Sequence, residues 1–369
     1  SERNGTLFDT EKKKLKTINY IRDISMKIKR MRGRSNKTPT TKVSVTTTDA
    51  NGDELKTECI GKLQVEHACR QENIQRFSQT NDTPPMQDAV IQDIGYSATG
   101  PVAESILNGS FTPRPLWDPY LNLLCSHLSI PDKNRQTPTR HHTITLEDHI
   151  SGWKKQKDRI ASDPASLSFV HHKAFTHDLE LAEVDRIFRE IPFTTGFIPD
   201  KWLQVTDLAI LKKAGVYEVE KMRTIMLMSA EFNMNNKKLG RDMMYTVEHN
   251  NTLPREQYGC RTHHKSIIAL LNKRLALDII RQKNSTGAIC FNDAKSCFDR
   301  IVHNVATMCM IRQGSSPVAT RQMFSVLRQA EHHIKSAYGR SEETYGPELS
   351  PPPQGIGQGN GAGPSGWDA

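Results

Sequence analysis

Asp293 stands just beyond the apolar run Ala288-Ile289-Cys290-Phe291 and just ahead of the helix-compatible stretch KSCFDRIVHNVATMCMI. A carboxylate at the end of a buried strand is held rigidly. Two-metal phosphoryl transfer demands that, because the ions must be fixed near both the attacking and the leaving oxygen. An Asp where a strand hands over to a helix is also very often only an N-cap, and these residues alone leave both readings open. The histidine doublets (His141-His142, His171-His172, His263-His264, His332-His333) offer no comparable chemistry. Neighbours on one helix point about 100° apart and chelate poorly.

The elements that would position Asp293 follow from hydrophobic periodicity. Strands are predicted over 203–212, 222–228 and 287–292, and helices over 178–190, 232–249 and 264–282. This order indicates an α+β fold rather than alternating βαβ units. Upstream, KVSVTTT and ELKTECI flank Asp49-Ala50-Asn51-Gly52-Asp53, and the Asn-Gly pair predicts a hairpin, followed by a helix over 60–79. Between about 81 and 139, Pro, Asp, Asn, Gly and Ser accumulate around a short helical stretch near LWDPYLNLLCSHL, which predicts an inter-domain region.

Most of the formal net charge of +9 lies in one arm. Ten Lys and Arg between Glu11 and Arg34 face only Glu11 and Asp23. Among them Leu15, Ile18, Ile21, Ile24, Ile28 and Met31 recur at helical spacing, predicting a basic amphipathic helix. Such a segment neutralises nucleic-acid phosphates without reading sequence; a solvated helix face or a nuclear-import signal has the same composition. The seven cysteines contain no C-x-x-C pair, which argues against a zinc ribbon and a disulfide framework and predicts reduced thiols. No apolar run reaches membrane-spanning length and the first thirty residues lack a signal-peptide core, so no membrane partner and an intracellular location are expected. The Ser1 start and the end GNGAGPSGWDA are expected to be cut points.

The segment GAICFNDAKSCFDR, residues 287–300, resembles the first palm motif of reverse transcriptases of the non-LTR retrotransposon kind, with Cys297 in the place of a small residue. The resemblance implies that Asp293 is catalytic and binds two Mg²⁺ ions, with the backbone carbonyl of Ala294 joining one of them. It makes Phe298 a steric gate against a ribose 2′-hydroxyl and leaves Asp299 structural. IPDKWLQVTDLAILKKAG resembles the stretch where a Trp leads into a fingers strand carrying Lys, and KMRTIML the following R-P-I strand, with Thr224 replacing Pro. Lys212 and Arg223 thereby become candidates for gripping a triphosphate. Lys213 competes with Lys212, and an ordinary pair of basic surface strands has the same composition. EQYGCRTHHKSIIALLNKRL resembles a template-holding block, with Cys260 for Phe, in which Arg261 either meets a phosphate or ties down its own neighbourhood.

PPPQGIGQGNGAGP resembles the second palm motif: Gly355, Gln358, Gly359 and Pro364 match, while Gly357 and Gly363 depart from it. Gln358 and Gly359 would then lie against the incoming nucleotide. The same recurrence of glycine is also the composition of a low-complexity tail. The family's third palm motif, an aromatic-x-Asp-Asp turn, has no counterpart, since no Asp-Asp pair occurs in the 369 residues.

The architecture implied is a right-hand polymerase: a basic amphipathic arm over 1–40, a polar, partly helical linker region over 41–144, and incomplete reverse-transcriptase fingers and partial palm over 145–369. The implied activity is RNA-directed DNA polymerisation with Mg²⁺, an RNA template, a DNA primer and dNTPs; this stretch alone is expected to be inactive. A non-catalytic nucleic-acid-binding relic of a retroelement is the alternative. An RNA-dependent RNA polymerase is opposed by Phe298 and by Gln358-Gly359. An unrelated scaffold would show neither palm nor fingers over 200–300.

Overall fold

The computed structural model describes residues 17–18, 20–22, 40–49, 51–136, 143–158, 160–163 and 166–369. The basic arm helix lies outside them except for exposed helical residues at 17–18 and 20–22. The Asn-Gly hairpin forms as expected: β1 (Lys42–Thr48) pairs antiparallel with β2 (Glu54–Ile60). Asp49 Oδ1 closes the turn by accepting from the N–H groups of Asn51 and Asp53, each at 2.9 Å.

Helix α1 (Lys62–Phe77) follows, burying Val65, Ala68, Cys69, Asn73, Arg76 and Phe77 at helical spacing. The region expected to be inter-domain is instead built of short helices: α2 (Asp88–Ile94), α3 (Pro101–Asn108), α4 (Pro119–Ser126) and α5 (Asp132–Gln136). The prolines and Asp118 that suggest a linker are helix starts. Pro101 and Pro119 sit in the first turn, where no N–H is needed, and Asp118 accepts from the N–H groups of Tyr120 and Leu121. Val90, Ile94, Ile106, Trp117 and Leu121 share a core with Met308 and Ile311, far along the chain.

Then come α6 (Leu146–Lys154), α7 (Phe169–Phe175), α8 (Leu179–Thr195), β3 (Gln204–Leu211), β4 (Met222–Leu227), α9 (Ala230–Asn250) and α10 (Ser266–Gln282). The chain continues through α11 (His303–Arg312), α12 (Pro317–Gln329), β5 (Glu331–Ser336), β6 (Gly339–Tyr345) and α13 (Gly363–Asp368). A four-stranded sheet has the order β4-β3-β5-β6, with β3 and β5 parallel and the other pairs antiparallel. The fold is α+β, with strands 204–211 and 222–227 where the periodicity places them.

Residues 287–296 correct one expectation. They form no strand, and 287–295 are exposed. A strand needs a partner for its N–H and C=O groups. The free edge of β4 is taken up elsewhere, by a hydrogen bond from Met226 N–H to Gln358 O. All seven cysteines are free thiols. Among the described residues no helix is long and apolar enough to cross a membrane.

Candidate functional site

Alternation along β4 divides the sheet into two faces. Met222, Thr224 and Met226 point inward, while Arg223 is exposed and Ile225 half-buried. Register places Arg223 beside Ile210, Ile225 beside Leu208, Leu208 beside Lys335, and Lys335 beside Arg340. The outward face therefore carries a cation on each of β4, β5 and β6 over an aliphatic floor, and exposed Lys212 follows directly after β3. Arg340 and His333 both meet the Gln204 amide oxygen, at 3.0 and 3.1 Å, which confirms that they share this face.

The glycine-rich segment is no loose tail. It lies along β4, with Met226 N–H donating to Gln358 O at 2.8 Å and Asn233 Nδ2 donating to Gly359 O at 2.9 Å. Gly359 has φ +121°, and a Cβ there would sit 2.6 Å from Met226 O and 3.6 Å from Ile225 Cγ2. Only glycine fits such an approach of two backbones. Gly355, at φ +97°, passes just as close to the residue 298–299 backbone, where a Cβ would lie 3.0 Å from Phe298 O.

Through that contact Phe298 joins the group. Ile356 N–H donates to Phe298 O at 2.9 Å, and the Phe298 ring lies 6.2 Å from that of Trp367. The fold thus joins the Phe298 backbone to Ile356 and lays Gln358 and Gly359 along the edge of β4, the strand that also bears Arg223. Exposed Arg223 and Lys212 are cations of the kind that neutralise phosphate, and the glycines leave backbone open to close approach.

Asp293 and Ala294 are not part of this convergence. Both are exposed, in the irregular stretch after α10. No strand precedes Asp293, and it caps no helix, because the next helical turn, residues 297–300, starts from Ser296. Among the described residues no group of three His, Cys, Asp or Glu side chains gathers where it could hold a metal.

Asp299 is buried where α1 meets the 297–300 turn. Burial pushes its carboxyl up to about 6, against the opposing pull of Arg76 and Lys212. Around it runs a polar network invisible in the sequence. Asp207 Oδ2 accepts from the Tyr345 hydroxyl, from His332 Nδ1 at 3.0 Å and from Asn73 Nδ2 at 3.4 Å. Thr224 donates to Asn73 Oδ1 at 2.7 Å and accepts from Arg76 at 3.2 Å, a junction that a proline at this position could not make. The doublet His332-His333 splits across the sheet, one ring in the core and one on the outward face.

A second buried cluster joins α6 to α9. His172 Nδ1 lies 2.9 Å from both Asp185 oxygens, His149 Nε2 lies 3.2 Å from the same carboxylate, and Arg189 stacks over Trp153. Burial would raise Asp185, but the two imidazoles outweigh it and hold the carboxyl well below its usual range. Arg261 is committed to structure, bridging both Glu248 oxygens at 2.7 and 2.8 Å and donating to Pro254 O at 2.7 Å. Spacing within one element could not reveal these clusters, because every partner lies on another element.

Comparison of the sequence with protein-family models and with curated proteins finds no match to either.

Proposed function

We propose that this chain is the nucleotide-binding and template-facing portion of an RNA-directed DNA polymerase, a reverse-transcriptase region of a retroelement. One observation supports the reading: the Phe298 carbonyl accepts from Ile356 N–H and, two residues on, the Gln358 carbonyl accepts from Met226 N–H, so segments far apart in sequence are joined beside the strand that also bears Arg223. In this reading Lys212 and Arg223 neutralise the triphosphate of a dNTP, Gly359 lets the backbone lie against it, and Phe298 stands at the sugar. The paired β3-β4 and β5-β6 strands act as fingers, and Lys335 and Arg340 extend the cationic face toward a template phosphate backbone. In this reading Asp293 and the Ala294 carbonyl would hold the Mg²⁺ ions, which neutralise charge on the triphosphate. Polymerisation belongs to the reading only for a longer polypeptide that carries the remaining carboxylates.

Arg223→Ala is expected to weaken dNTP binding by about tenfold, the loss of one charged contact to phosphate, while leaving the thermal midpoint unchanged because the side chain is exposed. Isothermal titration with dTTP measures it. Unaltered affinity in both Arg223→Ala and Lys212→Ala would remove the nucleotide site. A second reading, a non-catalytic nucleic-acid-binding relic, is favoured by the cations of the outward face, which hold a polyanion without any nucleotide. Primer extension by a polypeptide in which this chain is joined to an aromatic-x-Asp-Asp segment separates the two: the polymerase reading expects extension with dNTPs that Asp293→Ala abolishes.

A further inference from the structure

His303 lies outside both the 287–300 and the 351–364 segments, yet it sits at the seam between them. It is 1% exposed at the first turn of α11, with its ring 5.0 Å from that of Phe324. Its Nε2 is 2.7 Å from Gly355 O, and its backbone N–H donates to Gln354 Oε1 at 2.9 Å. Beside these bonds, Gly355 N–H donates to Ile301 O and Ile356 N–H to Phe298 O, each at 2.9 Å. Residues 298–303 and 354–356 are thus clasped together, and His303 supplies the side-chain lock.

Burial holds the imidazole neutral, down at about 4, so a single ring nitrogen carries a proton at neutral pH. Gly355 O can only accept, which places that proton on Nε2. The clasp fixes the Phe298 carbonyl directly and, three residues beyond Gly355, the loop that presents Gln358 and Gly359.

We infer that His303 is a positioning residue for sugar selection, setting the separation between the Phe298 ring and the Gln358-Gly359 loop so that a 2′-hydroxyl is excluded. The inference rests on the nucleotide-site reading and adds to it a residue that touches no nucleotide. Without the Nε2 donor, the Gly355 carbonyl is left buried and unpaired, and the loop must shift to find another partner.

The test uses the whole chain and its own reporter. Trp117, Trp153 and Trp202 are buried while Trp367, beside Phe298, is 48% exposed, so quenching of its fluorescence follows occupancy of the site. Titration with dTTP and with UTP, each with Mg²⁺, gives the ratio of the two dissociation constants. His303→Phe, which fills the space but donates nothing, is expected to lower that ratio by about tenfold, and His303→Gln, whose Nε2 can still reach Gly355 O, to restore it. Ile311→Val, a core change on the same helix, is expected to leave the ratio unchanged. A wild-type ratio in folded His303→Phe, or equal loss of the ratio in Ile311→Val, overturns the inference. Should His303→Phe fail to fold, His303→Asn, whose shorter amide cannot span the gap, takes its place with the same expectation. If the wild-type chain binds neither nucleotide, the nucleotide-site reading itself falls, an outcome distinct from binding without discrimination by His303.

Discussion

Asp299 is a charge that the fold pays for. Burial raises its carboxyl from 3.8 to about 6, so between those values the folded chain keeps a proton that the unfolded chain has released. Stability therefore falls as pH rises through that window, and the cost is complete above it. Asp299→Asn is expected to raise the free energy of unfolding at pH 8 by about 2 kcal/mol, with the gain vanishing below about pH 4. Urea unfolding at the two pH values measures the difference; a gain independent of pH would show that ionisation is not the cause. The residue types at positions 293 and 299 are the same, and nothing local in the sequence separates them. Their opposite surroundings, one exposed and one buried against α1, come from residues 220 and more positions upstream in the chain.

At the level of elements, long periodic segments were legible and partner-dependent ones were not. The strands at 204–211 and 222–227 and the helices at 179–195, 230–250 and 266–282 match their apolar spacing. Helix α8 even runs past the expected end near residue 190: Pro192 sits within its last turn, and the Gly196 N–H caps the helix by donating to Pro192 O. The expected strand at 287–292 failed because an apolar run states only that burial is favoured, not what supplies the partner. The glycine-rich segment erred the other way, looking like low complexity while packing against the edge of β4. Gly359→Ala tests that packing. Its Cβ meets Met226 O at a φ that L-residues avoid, so a cost of about 2 kcal/mol and release of the segment from β4 are expected. Hydrogen exchange at the Met226 amide, bonded to Gln358 O, should accelerate, whereas the Met243 amide inside α9 should not.

Across the whole molecule, the N-terminal third is structural to the site rather than an attachment. Helix α1 covers the inward face of the sheet, where Asn73 and Arg76 satisfy Asp207 and Thr224, and α2 to α5 share their core with α11. A chain beginning at Thr145 is expected to lose cooperative thermal unfolding followed by circular dichroism, because it would leave those polar groups and an apolar sheet face in water. A sharp transition near that of the full chain would show that residues 145–369 fold alone. The free thiols carry a consequence of another kind. Burial pushes Cys69 and Cys125 up to about 12 and Cys309 to about 11, so they are unreactive toward alkylating agents near neutrality, while Cys290 stands exposed three residues before Asp293. With the other exposed thiol, Cys260, replaced by serine, Cys290 is an attachment point on the irregular stretch that holds Asp293. A dye or spin label coupled at Cys290 would report directly whether added nucleic acid changes the surroundings of that stretch.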